Sequence, residues 1–376
     1  MSLRADVVIV GLGAAGSAAA LTLARRGLKV LGIDRFHPPH THGSSHGRSR
    51  IIREAYYESP AYVPLVQRAY ELWYALERDS GRHLLTRTGG LMLGPATGAL
   101  VDGARRSAEL HGIPYDLLDA ADVRRRFPAF HPAAEAVGVL EHRAGFLDPE
   151  ACIESCLTLA AGAGAELWFD TPVQRWERTM EGIRLATSRG PVDCGRLVLA
   201  AGAWLGELLG TARMPLHVTR QVMFWYRPRQ GAEDFGINRL PVFIWEWDAG
   251  RMIYGFPDHG AGFKVARHHE GPEVRADSVD RSVSEAEIAE MGEILVRCFP
   301  EVDGPPIETA TCLYTSTPDQ HFVLGAHPDE PRVILASPCS GHGFKFASAI
   351  GEVLADLATT GRSAFDLSPF SPLRFG

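Results

Sequence analysis

Near the C-terminus, the run SPCSGHGFKF from Ser337 to Phe346 sets a thiol, an imidazole and an ammonium close together, at Cys339, His342 and Lys345. The helix-like stretch ASAIGEVLADLA follows directly. Small residues at a helix start, here Gly341 and Gly343, let a planar or anionic ligand approach backbone N–H groups. A solvent-facing lysine there would oppose the helix dipole, so Lys345 is expected to point into a site. A second stretch, HPPHTHGSSHGRSRIIREAYYE, is dense in His, Ser and Arg. A guanidinium offers a planar fork to a carboxylate leaving water. On pattern alone, Arg53 serves equally as such a fork or in a surface ion pair with Glu54 or Glu58. In a third stretch, GFKVARHH, Lys264 and His268 are four residues apart and share one face if the segment is a strand.

The elements that must position these groups begin at the N-terminus. In DVVIVGLGAAGSAAALTLARRGLKVLGIDR, Val7 to Val10 form the continuous apolar run of a parallel strand buried on both faces. Gly11, Gly13 and Gly16 follow as G-x-G-x-x-G. An Ala/Leu-rich helix comes next, then a second strand closed by Asp34. That strand–loop–helix–strand–acid unit predicts dinucleotide binding, with Asp34 taking ribose hydroxyls and disfavouring a 2′-phosphate. NAD and FAD remain. The continuation favours FAD, because the chain leaves for a polar loop instead of adding βα units. It resumes a parallel strand only at RLVLAAGAWLGELLG, Arg196 to Gly210. Between these, DPEACIESCLTLAAGAGA predicts a helix with Asp148 as N-cap and Pro149 in its first turn. The segment after it alternates like a β-meander.

Composition sets the frame. The chain has 376 residues, long enough for two domains, with 45% hydrophobic and 22% charged residues. A formal net charge of -7 leaves no footprint for nucleic acid. No apolar run reaches membrane-spanning length, and the start, MSLRADVVIVG, lacks a signal-peptide pattern. Six irregularly spaced cysteines point to a reduced, cytoplasmic protein. The scattered histidines show no metal-ligand spacing.

Four separated stretches, in order, carry a family resemblance almost end to end: the N-terminal fingerprint, HGRSRIIREAY, YGFPDHGAGFKVARHH, and CLYTSTPDQHF with SGHGFKF. The chain resembles monomeric sarcosine oxidase and N-methyltryptophan oxidase, flavin enzymes that oxidise secondary amino acids. The resemblance implies an FAD held covalently through Cys312, with Cys339 a wall or packing residue. It implies that Arg53 and Lys345 dock the substrate carboxylate and that Lys264 promotes reaction with O2. His268, Tyr56, Tyr254 and Tyr314 match other active-site positions. His46 and Arg50 match flavin-contacting positions, and Ser49 stands where a threonine is common. Arg48 is an added charge, and Trp245 and Trp247 fall where the pocket wall varies, where they could narrow the pocket or stack on an aromatic substrate.

The expected fold is α/β. A Rossmann-like FAD-binding domain is assembled from residues 1–88, 147–214 and 312–376, and a substrate domain with a mixed or antiparallel sheet from 89–146 and 215–311. The implied reaction passes a hydride equivalent from the carbon next to the amine nitrogen to the flavin. It gives an imine, then formaldehyde and the demethylated amine from an N-methyl substrate, with hydrogen peroxide from O2. The expected partners are a small amino acid and O2, in a monomer or small homo-oligomer. Three rivals stand beside this reading: an oxidase of a cyclic imino acid of pipecolate or proline type, a flavin dehydrogenase using another acceptor, and a non-catalytic nucleotide-binding module.

Overall fold

The computed structural model describes residues 3–210, 214–228 and 231–375. The chain opens with strand Leu3–Val10, helix Ala14–Arg25 and strand Val30–Ile33. Val7 to Val10 are buried, as their unbroken apolar run requires. Glycine is required at two points around the intervening turn. Gly11 has φ +92°, and a Cβ on Gly16 would lie 1.8 Å from the Gly11 carbonyl oxygen.

These strands belong to a parallel core ordered Glu166–Trp168, Val30–Ile33, Leu3–Val10, Gly190–Leu199, Glu330–Ser337. Strands Val173–Arg178 and Ile183–Thr187 extend it as an antiparallel meander, and Val323–His327 pairs antiparallel with Glu330–Ser337. The expected helix is Pro149–Gly162, and the Asp148 side chain accepts from the Ala151 N–H at 2.9 Å. Helix Ala14–Arg25 packs against both Pro149–Gly162 and Ala347–Thr360. Gly351 of the last helix lies against the Ala18 backbone, where a Cβ would meet it at 2.7 Å.

A second, eight-stranded sheet runs Glu308–Ser316, His217–Tyr226, Phe263–His268, Arg251–Phe256, Val242–Asp248, Gly90–Pro95, Ala136–Glu141, Tyr115–Asp119. Its neighbours are antiparallel except Gly90–Pro95 with Val242–Asp248, so the sheet is mixed. Helix Glu285–Cys298 covers one face through Met291, Ile294 and Leu295. A three-stranded sheet of Arg50–Ile52, Gly145–Leu147 and Leu85–Arg87 adjoins the two.

Two expectations need correction. The boundary placed at residue 312 falls inside strand Glu308–Ser316, which pairs along its whole length with His217–Tyr226. Ladder continuity carries that segment into the second sheet. Trp245 is not a pocket wall: it packs on Phe130 and Phe299, on the helix-covered face. Trp247 joins the same cluster. Strand alternation sends Ile244 to the cavity instead.

Candidate active site

The parallel strands end at Val10, Ile33, Leu199 and Ser337, and the residues at or just past these ends line one large cavity. Open parallel sheets bind ligands at this edge. The opposite wall comes from the second sheet, through Ile244, Tyr254, Phe256, His268, Cys312 and Tyr314.

Of the residues expected in the fingerprint, Gly11, Gly13 and Asp34 line this cavity, while Gly16 stands behind as the packing glycine. The Asp34 carboxylate accepts from the N–H groups of Leu12 at 2.6 Å and Phe36 at 2.9 Å, which fixes the turn it closes. Burial raises its pKa, and those N–H groups pull the other way.

At the C-terminal motif, Gly341, Gly343 and Lys345 all line the cavity. Gly341 has φ +76°, and a Cβ there would strike the Tyr314 ring at 2.5 Å. Lys345 is buried and turned inward. Its Nζ donates to the His342 carbonyl at 2.6 Å and to Tyr56 Oη at 3.4 Å. Burial first, then Arg53, push the ammonium down to about 7, with Glu58 opposing. His342 Nε2 lies 3.0 Å from the Gln320 carbonyl, which can only accept, so Nε2 carries the proton. Nδ1 then accepts from the Tyr56 hydroxyl at 2.6 Å. Burial holds His342 neutral, lowering it to about 4.

Arg53 is 1% exposed, so the surface ion pair is excluded. It is nevertheless paired: Nη2 donates to both Glu58 oxygens at 2.8 and 2.6 Å. Its guanidinium lies 4.1 Å from the Tyr56 ring centroid and 4.7 Å from that of Tyr57. Burial pushes the Glu58 carboxyl up, but Arg53, His342 and Lys345 outweigh it and hold it below its ordinary value. Arg53, Glu58 and Lys345 therefore meet at one wall of the cavity.

Lys264 and His268 share a strand face, as the four-residue spacing implied. Lys264 is fully buried rather than exposed. Its three N–H donors reach Gly47 O at 2.7 Å, Ser49 O at 3.1 Å and Ser49 Oγ at 3.2 Å. Its Nζ lies 4.7 Å from the Phe256 centroid, and Phe256 itself lines the cavity. Lys264, His46, Ser49 and Tyr56 thus stand one layer behind the cavity lining. Burial, then Arg50, push the Lys264 ammonium well below its ordinary value. Burial, Arg50 and Lys264 lower His46 to about 3, so its ring is neutral. Arg50 lines the cavity and donates to Ser44 O at 2.6 Å and Ser49 O at 2.8 Å. Arg48 points elsewhere, to Glu308 at 2.8 Å.

Cys312 and Cys339 both line the cavity. Cys312 is buried on its strand. Burial raises its pKa, and Arg50 and Lys264 pull against this without cancelling it. The local field alone therefore does not give a thiolate. Cys339 is half-buried, and its Sγ accepts from the Thr315 N–H at 3.4 Å. Tyr254 and Tyr314 face each other across 3.5 Å between their hydroxyls.

Two residues that sequence reasoning did not place matter here. Glu58 appeared only as a surface partner for Arg53. His342 appeared in the motif without a role, although its adjacency to Gly341 and Gly343 was a usable signal.

The cavity suits a large polar cofactor. His268 Nδ1 and Ser337 Oγ are buried at its wall, and His46 Nε2 behind it, with no hydrogen-bond partner among the described residues. The N-terminus of helix Ala14–Arg25 opens onto the same space. The family model for FAD-dependent oxidoreductases matches residues 6–357. The chain belongs to that family. Its cofactor is FAD, and it is a flavin-dependent oxidoreductase of mixed α/β fold. Curated relatives include monomeric sarcosine oxidase of Streptomyces avermitilis, 43% identical over 100% of this chain and 98% of that protein. N-methyl-L-tryptophan oxidase of Escherichia coli is 35% identical over 99% of this chain and 100% of that protein. Among solved structures, NikD, an unusual amino acid oxidase essential for nikkomycin biosynthesis, superposes in its open form with TM-score 0.87. It is 25% identical, over 99% of this chain and 98% of that one. Among the described residues, no helix is long and apolar enough to cross a membrane, and no cluster of His, Cys, Asp or Glu is arranged to hold a metal.

Proposed function

We propose that this oxidoreductase oxidises secondary, N-methyl amino acids and uses O2 as electron acceptor. The observation that carries the reading is the buried cationic wall, where Arg53 and Lys345 face the cavity beside Glu58. Two cations against one carboxylate leave room for a second carboxylate, that of the substrate. The Lys345 ammonium would hold one carboxylate oxygen, and the Arg53 fork would share itself between that carboxylate and Glu58.

FAD supplies a two-electron acceptor for the carbon next to the substrate nitrogen. The chain's own residues orient and enclose the substrate. Tyr254, Phe256 and Tyr314 exclude water around the reacting amine. The neutral His268 ring has an unpartnered Nδ1 at the cavity wall, a hydrogen-bond site for substrate or cofactor. A carboxylate-bound N-methyl amino acid would lose its methyl as formaldehyde after imine hydrolysis. Lys264, held by three oxygens behind Phe256, would supply the positive charge that favours electron transfer to O2, the anion forming there drawing a proton onto Nζ against the burial that disfavours it, and hydrogen peroxide is the product. Gly11, Gly13 and Asp34 would hold the dinucleotide, with Arg50, His46 and Ser49 on the flavin side. Cys312 would carry the covalent link, with Cys339 as wall. Domain roles follow the sheets: the parallel one for FAD, the mixed one for substrate. A cytoplasmic location accords with the six free cysteines.

The test is peroxide release across a panel of N-methyl, cyclic and primary amino acids under air. Highest kcat/KM with an N-methyl amino acid supports the reading. Preference for proline or pipecolate would replace it with the cyclic-amine alternative. Turnover with an artificial acceptor but without peroxide would make the enzyme a dehydrogenase.

A further inference from the structure

The carboxylate-facing wall depends on a segment without regular structure of its own. Strand Arg50–Ile52 ends just before Arg53, and Glu54, Ala55 and Tyr56 lie outside any helix or strand. Their amides need partners, since they are buried. One side chain from the second sheet supplies those of Glu54 and Ala55. Glu141 ends strand Ala136–Glu141 and is 1% exposed. Its two oxygens accept from the Glu54 N–H at 2.8 and 2.9 Å, and Oε2 also accepts from the Ala55 N–H at 2.8 Å. The Ala55 carbonyl in turn accepts from Arg53 Nη1 at 3.1 Å. The next residue, Tyr56, is the one bonded to His342 and Lys345. Two residues beyond Glu141, Arg143 pairs with the Glu54 side chain at 2.6 Å. The end of that strand grips the backbone of the segment, and the turn after it grips the Glu54 side chain.

We infer that Glu141 is a positioning residue for substrate binding: its carboxylate clamps the 54–55 backbone and thereby sets Arg53 and Tyr56 for the substrate carboxylate. This rests on the reading of Arg53 and Lys345 as the carboxylate dock. A charged acceptor on two adjacent N–H groups makes stronger bonds than a neutral one. Glutamine at this position has one oxygen and would turn its NH2 toward a backbone N–H, donor against donor.

The groups facing Glu141 are Glu54 and Arg53 on the clamped segment, Arg143 on its own turn, and Tyr70 on helix Val63–Ser80. Burial pushes the Glu141 carboxyl up to about 7. The Ala55 and Glu54 N–H groups and Arg53 pull down, and Glu54 pushes up. Protonation as pH falls through that value removes the charge that holds the clamp, so carboxylate binding weakens on the acid side.

The experiment uses the FAD-loaded enzyme and acetate as an unreactive carboxylate, with Kd read from the perturbed flavin absorbance, alongside steady-state kinetics with N-methylglycine. Glu141→Gln should raise the acetate Kd and the KM by about tenfold or more, with kcat changed by less than about threefold. A folded Glu141→Gln with unchanged Kd overturns the inference. Lys345→Met leaves Glu141 intact and removes the titration of Lys345. In it, acetate Kd should climb as pH falls below about 7, approaching tenfold per unit. A flat profile there also overturns the inference, whether or not Glu141→Gln folds. Arg53→Met separates the two readings. If it binds acetate as the wild type does, the dock itself is misassigned. If it loses acetate while Glu141→Gln keeps it, only the role of Glu141 fails.

Discussion

Arg53 and Glu58 form a buried ion pair, with Nη2 2.6 Å from one carboxylate oxygen and 2.8 Å from the other. The Arg53 Nε is buried with no partner among the described residues, so the guanidinium is not saturated by Glu58. The fork proposed to receive the substrate is thus already held by an internal carboxylate, and an incoming one must share or displace it.

Glu58→Gln should consequently destabilise the ligand-free enzyme, since breaking a buried pair from one side costs about 3–5 kcal/mol. The same variant should gain more stability from saturating acetate than the wild type does. Thermal unfolding with and without acetate checks both. An equal acetate shift in the two proteins would mean that Glu58 and the ligand do not compete for Arg53.

Lys345 gives a pH dependence of definite sign. Its pKa is lowered to about 7 from 10.5, so above about 7 the free enzyme holds it neutral. A docked carboxylate favours the ammonium and raises that pKa. Acetate binding at about pH 8 should therefore take up a proton, approaching one per site. Calorimetry in buffers of different ionisation enthalpy measures that uptake. Lys345→Met should abolish it, and uptake persisting in that variant would assign the proton to another group.

Flavin attachment separates the two cavity cysteines. Acid precipitation of the wild type should give a yellow pellet. Cys312→Ser should release the colour, and Cys339→Ser should retain it. Because burial raises the Cys312 pKa, attachment during reconstitution from apoprotein and FAD should be faster at higher pH. Release of all colour from the wild type would show that no covalent link forms.

Much of this was legible in the residues because it is local. The glycine spacing and Asp34 fix the first strand–helix–strand unit, and Asp148 with Pro149 marks a helix start to the residue. The four-residue step from Lys264 to His268 gave their shared face. What failed was what depends on the far side of a sheet. Alternation shows that Ile244 and Trp245 point oppositely, but not which face helix Glu285–Cys298 covers. Burial of Arg53 was illegible for a similar reason: RSRIIRE carries charges that a solvated helix would also carry. Glu141 had no signal, since its partners are backbone amides 86 and 87 residues away.

The central claim is amino-acid oxidation with O2 as acceptor, and double-mixing stopped-flow absorbance tests it most directly. The enzyme is first mixed anaerobically with an N-methyl amino acid, and the bleached flavin is then mixed with O2. In the wild type the flavin should bleach, recover rapidly and release one peroxide per flavin. Lys264→Met should bleach at a similar rate but recover about 10²- to 10³-fold more slowly, the equivalent of about 3–4 kcal/mol of lost charge stabilisation. Wild-type flavin that bleaches but recovers only with another acceptor would contradict the account. So would a Lys264→Met enzyme that bleaches slowly and recovers at the wild-type rate, which would place Lys264 in substrate binding.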